Sequence, residues 1–211
     1  MARLLHSGVV AVVRAPAGDR LIDLAEALLA GGVTAIEITF TVPGALRVLE
    51  QVADRLGDRI LLGAGTVLDA ETARAAILAG ARFVVSPTVS KRVIRTCRRY
   101  GTLCLPGALT PTEVLAAWEA GADIVKVFPS ELTGPGYLKA LQGPLPQVRL
   151  MPTGGVTLAN AAEFIRAGAC AIGVGGSLVA PQALAAGRWA EITALAGQFV
   201  AAVQSARAQS N

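Results

Sequence analysis

The chain has 211 residues, 53% of them hydrophobic and 16% charged, with 23 glycines and 11 prolines. That balance supports a large core and excludes a disordered chain, while the single histidine, His6, argues against a multi-histidine metal centre. The net charge of +4 at pH 7 includes one basic cluster, Lys91, Arg92, Arg95, Arg98 and Arg99. Its spacing occupies one helix face and lacks the aromatic platforms that a nucleic-acid site would add, so no nucleic-acid partner is expected.

In chain order, apolar and β-branched runs predict strands at 9–14, 35–40, 60–65, 83–87, 103–107, 123–129, 149–153 and 171–175. Helices alternate with them at 19–30, 43–56, 69–79, 90–100, 111–120, 135–142, 158–167 and 181–205. Four helices end on an Ala-Gly pair, at Gly31, Gly80, Gly121 and Gly168, where glycine can take the left-handed conformation that closes a helix. Asp19, Asp69, Ser90 and Thr110 are expected N-caps, and Pro43, Pro111 and Pro181 suit first-turn positions. Eight strand–helix units in strict alternation predict an α/β fold with a parallel sheet, closing as a single (β/α)8 TIM barrel in one domain over residues 1–211. A doubly wound open sheet fits less well, because Arg14-Ala-Pro-Ala-Gly follows the first strand where G-x-G-x-x-G would stand.

Cys97, Cys104 and Cys170 are odd in number and lack C-x-x-C spacing, which points to a reducing cytoplasm rather than to disulfides or a zinc ribbon. The longest uncharged run, residues 167–187, is 21 residues long, but its glycines and Pro181 read as strand, turn and helix start. The apolar stretch at 8–13 is too short for a signal sequence. A soluble, cytoplasmic protein without a membrane partner is expected.

A barrel of this kind places its site at the C-terminal ends of the strands, which nominates Arg14, Glu37, Thr39, Thr66, Pro87, Pro106, Lys126, Phe128, Thr153 and the last glycines. Lys126 lies in Asp-Ile-Val-Lys-Val-Phe-Pro, where strand alternation sets Ile124, Lys126 and Phe128 on one face and Val125 and Val127 on the other. Desolvation in an apolar interior lowers a lysine pKa from its free value of about 10.4 and yields a nucleophile. Glu37 alternates in the same way with Thr39 and Thr41, and strands two and six face one another across an eight-stranded barrel. A lysine nucleophile with a carboxylate proton shuttle suits imine chemistry on a carbonyl substrate; a structural ion pair uses the same geometry. The turns Thr153-Gly154-Gly155 and Gly175-Gly176-Ser177 follow the last two strands, where barrel loops frequently hold phosphate. Arg14 could pair with a substrate carboxylate or be a solvated strand end. Thr66 could donate to a substrate oxygen or cap a helix.

Taken together, Glu37-Ile-Thr, Gly63-Ala-Gly-Thr, Val85-Ser-Pro, Pro106-Gly, Thr110-Pro-Thr-Glu113, Lys126-Val-Phe-Pro, Pro152-Thr-Gly-Gly and Gly175-Gly-Ser177 resemble the class I aldolases for 2-keto-3-deoxy-6-phosphogluconate (KDPG) and 4-hydroxy-2-oxoglutarate. The resemblance covers roughly residues 8 to 200. It implies a homotrimeric, metal-independent lyase with no cofactor, in which Lys126 forms a Schiff base with the substrate C2 carbonyl and Glu37 shuttles protons. The products it implies are pyruvate and glyceraldehyde 3-phosphate, or pyruvate and glyoxylate from 4-hydroxy-2-oxoglutarate. It also implies a phosphate site at Gly154, Gly155, Gly175, Gly176 and Ser177, and a pyruvate end shaped by Thr66, Pro87, Phe128 and Thr153. One position departs from the pattern: many family members carry arginine four residues after the glutamate, and Thr41 stands there. Arg14 therefore becomes the expected carboxylate ligand. The alternatives are an aldolase for the galactonate epimer, a phosphosugar isomerase or epimerase on the same barrel, and a non-catalytic barrel that binds phosphometabolites.

Overall fold

Short parallel strands alternate with helices along the chain: β1 (Val9–Val13), β2 (Ala35–Thr39), β3 (Leu61–Gly65), β4 (Phe83–Val85), β5 (Leu103–Leu105), β6 (Gly107–Ala108), β7 (Val125–Val127), β8 (Leu150–Pro152) and β9 (Ile172–Val174). The helices are α1 (Ala2–Ser7), α2 (Leu21–Ala30), α3 (Ala45–Leu56), α4 (Ala70–Leu78), α5 (Lys91–Tyr100), α6 (Pro111–Glu119), α7 (Gly134–Gln142), α8 (Leu158–Arg166), α9 (Pro181–Ala185) and α10 (Trp189–Ala208). The computed structural model describes residues 1–209; positions 210 and 211, the end of the expected domain, lie outside the described residues. No helix among the described residues is long and apolar enough to cross a membrane.

The result is an α/β fold with a curled parallel sheet in two sections, one ordered β5-β4-β3-β2-β1-β9 and the other β6-β7-β8. The expected strand at 103–107 is two pieces, because Pro106 has no N–H to give to a ladder. Its carbonyl still accepts from Lys126 N–H at 2.9 Å. On the other side, β8 meets β9 only through the isolated bridges Leu150↔Ala169 and Thr153↔Gly173.

Alternation along the strands sorts the core into two layers. Val9, Ala11, Ile36, Ile38, Val125 and Val127 pack in the cluster under the helices. Val10, Ala35, Phe83, Val85, Leu105, Ile124, Met151 and Ala171 form a second cluster on the opposite, inner face of the sheet. Leu4 of α1 is fully buried in that inner cluster and plugs one end of it. This first helix was not expected from the sequence; six residues are too few to show a helical period, but Gly8 closes it at φ 66°.

Other boundaries also differ from expectation. The last predicted helix, 181–205, is broken between α9 and α10, where Gly187 takes φ 65°. Asp19 does not cap α2, whose N-cap is Arg20 with no side-chain hydrogen bond. Pro43 precedes the N-cap Gly44 and so lies outside α3. Gly80, Gly121 and Gly168 are left-handed as expected, but in the first repeat Gly32 takes that role. Gly31 instead gives α10 room, since a β-carbon there would lie 2.5 Å from Ala196 Cβ. Asp69, Ser90 and Thr110 do cap their helices, and Thr110 forms a capping box with Glu113.

Candidate active site

Lys126 and Glu37 both point to the inner face, one from β7 and one from β2, with 3% and 1% of their surfaces exposed. In β2, Ile36 and Ile38 face the helices, so Glu37 must face inward with Ala35 and Thr39. In β7, Val125 and Val127 do the same for Lys126. Neither oxygen of the Glu37 carboxyl has a hydrogen-bond partner. Burial pushes that carboxyl above the usual carboxylate range, against the opposing pull of Lys126 and then Arg14. Burial holds the Lys126 ammonium below the usual lysine range; Glu37 opposes the shift and Arg14 adds to it. The two groups thus sense one another across the interior without a contact ion pair among the described residues. A lysine and a carboxyl pushed toward their neutral forms can attack a carbonyl and pass protons. The Lys126 Nζ lies 4.8 Å from the centroid of the Phe128 ring.

Small residues make the space for these side chains. A β-carbon on Gly63 would strike the Phe83 ring, one on Gly65 the Glu37 carboxyl, and one on Gly173 the Thr153 hydroxyl. The Thr153 hydroxyl is itself buried without a partner. Ser130, fully buried after β7, ties the exits of β7 and β8 together. Its N–H donates to Thr153 O at 2.9 Å, its hydroxyl donates to Val127 O at 2.8 Å, and Thr153 N–H donates to its Oγ at 3.2 Å.

Beyond Phe128, a cavity of about 270 Å³ opens between the ends of β1, β7, β8 and β9. Its walls bring together Arg14, Phe128, Thr153, Gly154, Gly155, Gly175, Gly176 and Ser177, all nominated from the sequence, and add Val12 and Glu131. Gly154 and Gly155 are left-handed, at φ 88° and 72°. The Asn160 amide holds that turn, accepting from Thr157 N–H at 2.8 Å and donating to Gly155 O at 2.9 Å. The cavity offers glycine backbone, a hydroxyl and a guanidinium, a donor set suited to an oxyanion. Arg14 sits on the glycine side of this cavity, with Nη1 3.8 Å from where a Gly175 β-carbon would lie.

Thr39, Thr66 and Pro87 lie outside this cavity. The Thr39 hydroxyl is already engaged, donating to Val13 O at 3.0 Å and lying 2.6 Å from Thr41 Oγ1. Thr66 follows β3 at φ 58°, a strained conformation for a β-branched residue. Pro87 follows β4, and its carbonyl lies against Gly107. A larger groove of about 840 Å³, lined by Phe40, Thr41 and Arg47 among others, runs beside the start of α3 and holds none of the nominated residues. Among the described residues, no group of three or more His, Cys, Asp or Glu side chains is placed to hold a metal ion. Ser130, Glu131, Asn160 and the space-making Gly63, Gly65 and Gly173 escaped sequence reasoning. Their only signal was adjacency to Lys126-Val-Phe-Pro, Gly63-Ala-Gly-Thr and the glycine turns.

Fold and site together define a parallel α/β protein with an interior lysine–carboxyl pair and a glycine-walled cavity at the ends of its strands. The family model described as "Aldolase: KDPG and KHG aldolase" matches residues 1–195, and the chain belongs to that family. It is 40% identical over 195 residues to the 2-dehydro-3-deoxy-phosphogluconate aldolase of Treponema pallidum (strain Nichols), covering 90% of each chain. It is 37% identical over 171 residues to the 2-dehydro-3-deoxy-6-phosphogalactonate aldolase of Escherichia coli (strain K12), covering 81% of this chain and 83% of that one. Among solved structures, KDPG aldolase from Legionella pneumophila, with pyruvate captured at low pH as a covalent carbinolamine intermediate, superposes with a TM-score of 0.87. It is 29% identical, and the match covers 94% of this chain and 98% of that one.

Proposed function

We propose that the chain is a class I aldolase that cleaves KDPG to pyruvate and D-glyceraldehyde 3-phosphate, and 4-hydroxy-2-oxoglutarate to pyruvate and glyoxylate. The observation that carries this reading is the buried Lys126, held below the usual lysine range and facing a Glu37 whose carboxyl oxygens are both unpartnered. Neutral Lys126 Nζ attacks the C2 carbonyl, giving a carbinolamine that loses water to an iminium ion. Glu37 takes the C4 hydroxyl proton as the C3–C4 bond breaks. The electron pair of that bond passes into the iminium, releasing the aldehyde and leaving an enamine. Protonation at C3 and hydrolysis then return pyruvate and the free amine. The protonated iminium is the electron sink for this sequence.

In this reading Gly154, Gly155, Gly175, Gly176 and Ser177 hold the phosphate; Arg14, expected from the sequence at the substrate carboxylate, shares their cavity and is assigned to the phosphate instead. Thr66, Pro87, Phe128 and Thr153 shape the pyruvate end, and Thr39 positions Glu37's strand through its bond to Val13 O. The two sheet sections act as one closed (β/α)8 barrel in a single domain, a reading supported by the hydrogen bond across Pro106 and the bridges from β8 to β9. The enzyme works as a homotrimer in the cytoplasm. Exposed Leu68, Leu78 and Leu132 support association, and three free cysteines suit a reducing compartment.

Borohydride reduction in the presence of saturating pyruvate tests the proposal. A reduced pyruvyl adduct on Lys126, absent from Lys126→Ala, is expected; no adduct on the wild-type chain would sink the aldolase reading. The galactonate epimer is the second reading, favoured by the 37% identity to a 2-dehydro-3-deoxy-6-phosphogalactonate aldolase. Cleavage rates on the two epimers side by side decide between them, and the Pro152-Thr-Gly-Gly turn favours the gluconate.

A further inference from the structure

We propose that Glu131 is a specificity-determining residue for the aldehyde half of the substrate, accepting a hydrogen bond from the hydroxyl next to the phosphate-bearing carbon. The inference rests on the aldolase reading above. Among the described residues, Glu131 is the only acidic one lining the cavity beyond Phe128, where the other polar side chains are the Arg14 guanidinium and the Thr153 and Ser177 hydroxyls. A carboxylate has no proton to give and repels a phosphate dianion, so an anion site gains nothing from it unless the ligand also brings hydroxyl groups. Glu131 is exposed and forms neither an ion pair nor a side-chain hydrogen bond among the described residues, not even with Arg14 in the same cavity.

Its backbone is fixed although its carboxylate is free. A β-carbon on Gly155 would come within 2.9 Å of Glu131 Cα, so the two turns are packed together. The preceding Ser130 is bonded to Thr153 in both directions. With the backbone already held, binding has only the side-chain rotamers of Glu131 to order. Its place along the substrate path follows from Phe128. The centroid of that ring lies 4.8 Å from Lys126 Nζ, and its Cδ2 and Cε2 lie 3.4 Å from a β-carbon position on Gly154. Gly155 and Glu131 come next. A chain bound as an imine at Lys126, with its phosphate at the glycine turns, passes its last hydroxyl by this point.

The test compares kcat/KM for addition of pyruvate to D-glyceraldehyde 3-phosphate and to 3-phosphooxypropanal, which lacks only that hydroxyl. The wild-type chain is expected to favour the hydroxylated aldehyde by about 10- to 100-fold, the range for a hydrogen bond to a charged group. In Glu131→Ala the ratio falls to near unity, and Glu131→Gln, which keeps an acceptor oxygen, retains part of it. A wild-type ratio near unity, or a ratio unchanged in Glu131→Ala, overturns the assignment. Borohydride trapping of pyruvate on the same preparations separates the two levels: wild-type trapping with an unchanged ratio removes Glu131 alone, and no trapping removes the aldolase reading.

Discussion

Gly65 and the carboxyl of Glu37 occupy one space: a β-carbon on Gly65 would land on Glu37 Oε1 and lie 2.5 Å from its Cδ. The register pairs Glu37 with Gly63 and Thr39 with Gly65, so the carboxyl leans one pleat along the strand to lie over the second glycine. Gly65 is not left-handed. Its lack of a side chain serves space alone.

Gly65→Ala should therefore act as a displaced Glu37. Turnover is expected to drop on the order of 100-fold, the lower range for a lost general acid–base, while pyruvate trapping on Lys126 persists. Adding Glu37→Ala should then cost little more. Two losses that multiply would show that Gly65 acts elsewhere.

The pH dependence of imine formation follows from the directions of the shifts. The neutral amine is the nucleophile, so the trapping rate rises with pH through a midpoint below that of a free lysine, about 10.4. Glu37 holds the Lys126 pKa up against burial. Glu37→Gln should move the midpoint further down, with turnover reduced roughly 10²- to 10⁴-fold. A midpoint that rises, or full turnover in that variant, contradicts the assigned roles.

Arg14→Ala separates the two ends of the substrate. Because the guanidinium stands by Gly175, KM for the phosphorylated keto acid should rise on the order of 10- to 100-fold, as for one lost charge-assisted contact. KM for 4-hydroxy-2-oxoglutarate, which has no phosphate, should change little. Equal increases for both would return Arg14 to the carboxylate.

Leu4→Ala tests the inner cluster from its far end. Leu4 is fully buried there, and removing a buried leucine side chain costs about 2–5 kcal/mol. Thermal unfolding should fall by roughly 2–4 °C per kcal/mol for a chain of this size. Activity measured well below that transition should remain.

The strands and the inward pair were legible because burial on both faces leaves β-branched runs, and alternation then fixes which residues point inside. Lys126 stands out against Val125 and Val127 for that reason. The signals that failed were local. Asp19 and Pro43 have cap-forming chemistry, but the chain reaches α2 and α3 one or two residues later. The break at Gly187 needed knowledge of where α9 meets the core. The glycines of β3 were legible only as part of the Gly63-Ala-Gly-Thr motif, because their purpose, room for Phe83 and Glu37, belongs to neighbouring strands. Which residues share the cavity beyond Phe128 likewise depends on how β1, β7, β8 and β9 converge.

Arg207, near the end of α10, donates to the carbonyls of Leu5 at 2.7 Å, His6 at 3.4 Å and Cys170 at 2.7 Å. α1 is thus anchored by α10, some 200 residues further along the chain. Contacts of such sequence separation form late, since loop closure comes before any stabilisation from them. While the chain is being made from its N-terminus, Leu4 has strands to meet but no clasp. The floor of the inner cluster locks only when α10 arrives, which makes its docking on α1 a late step in folding.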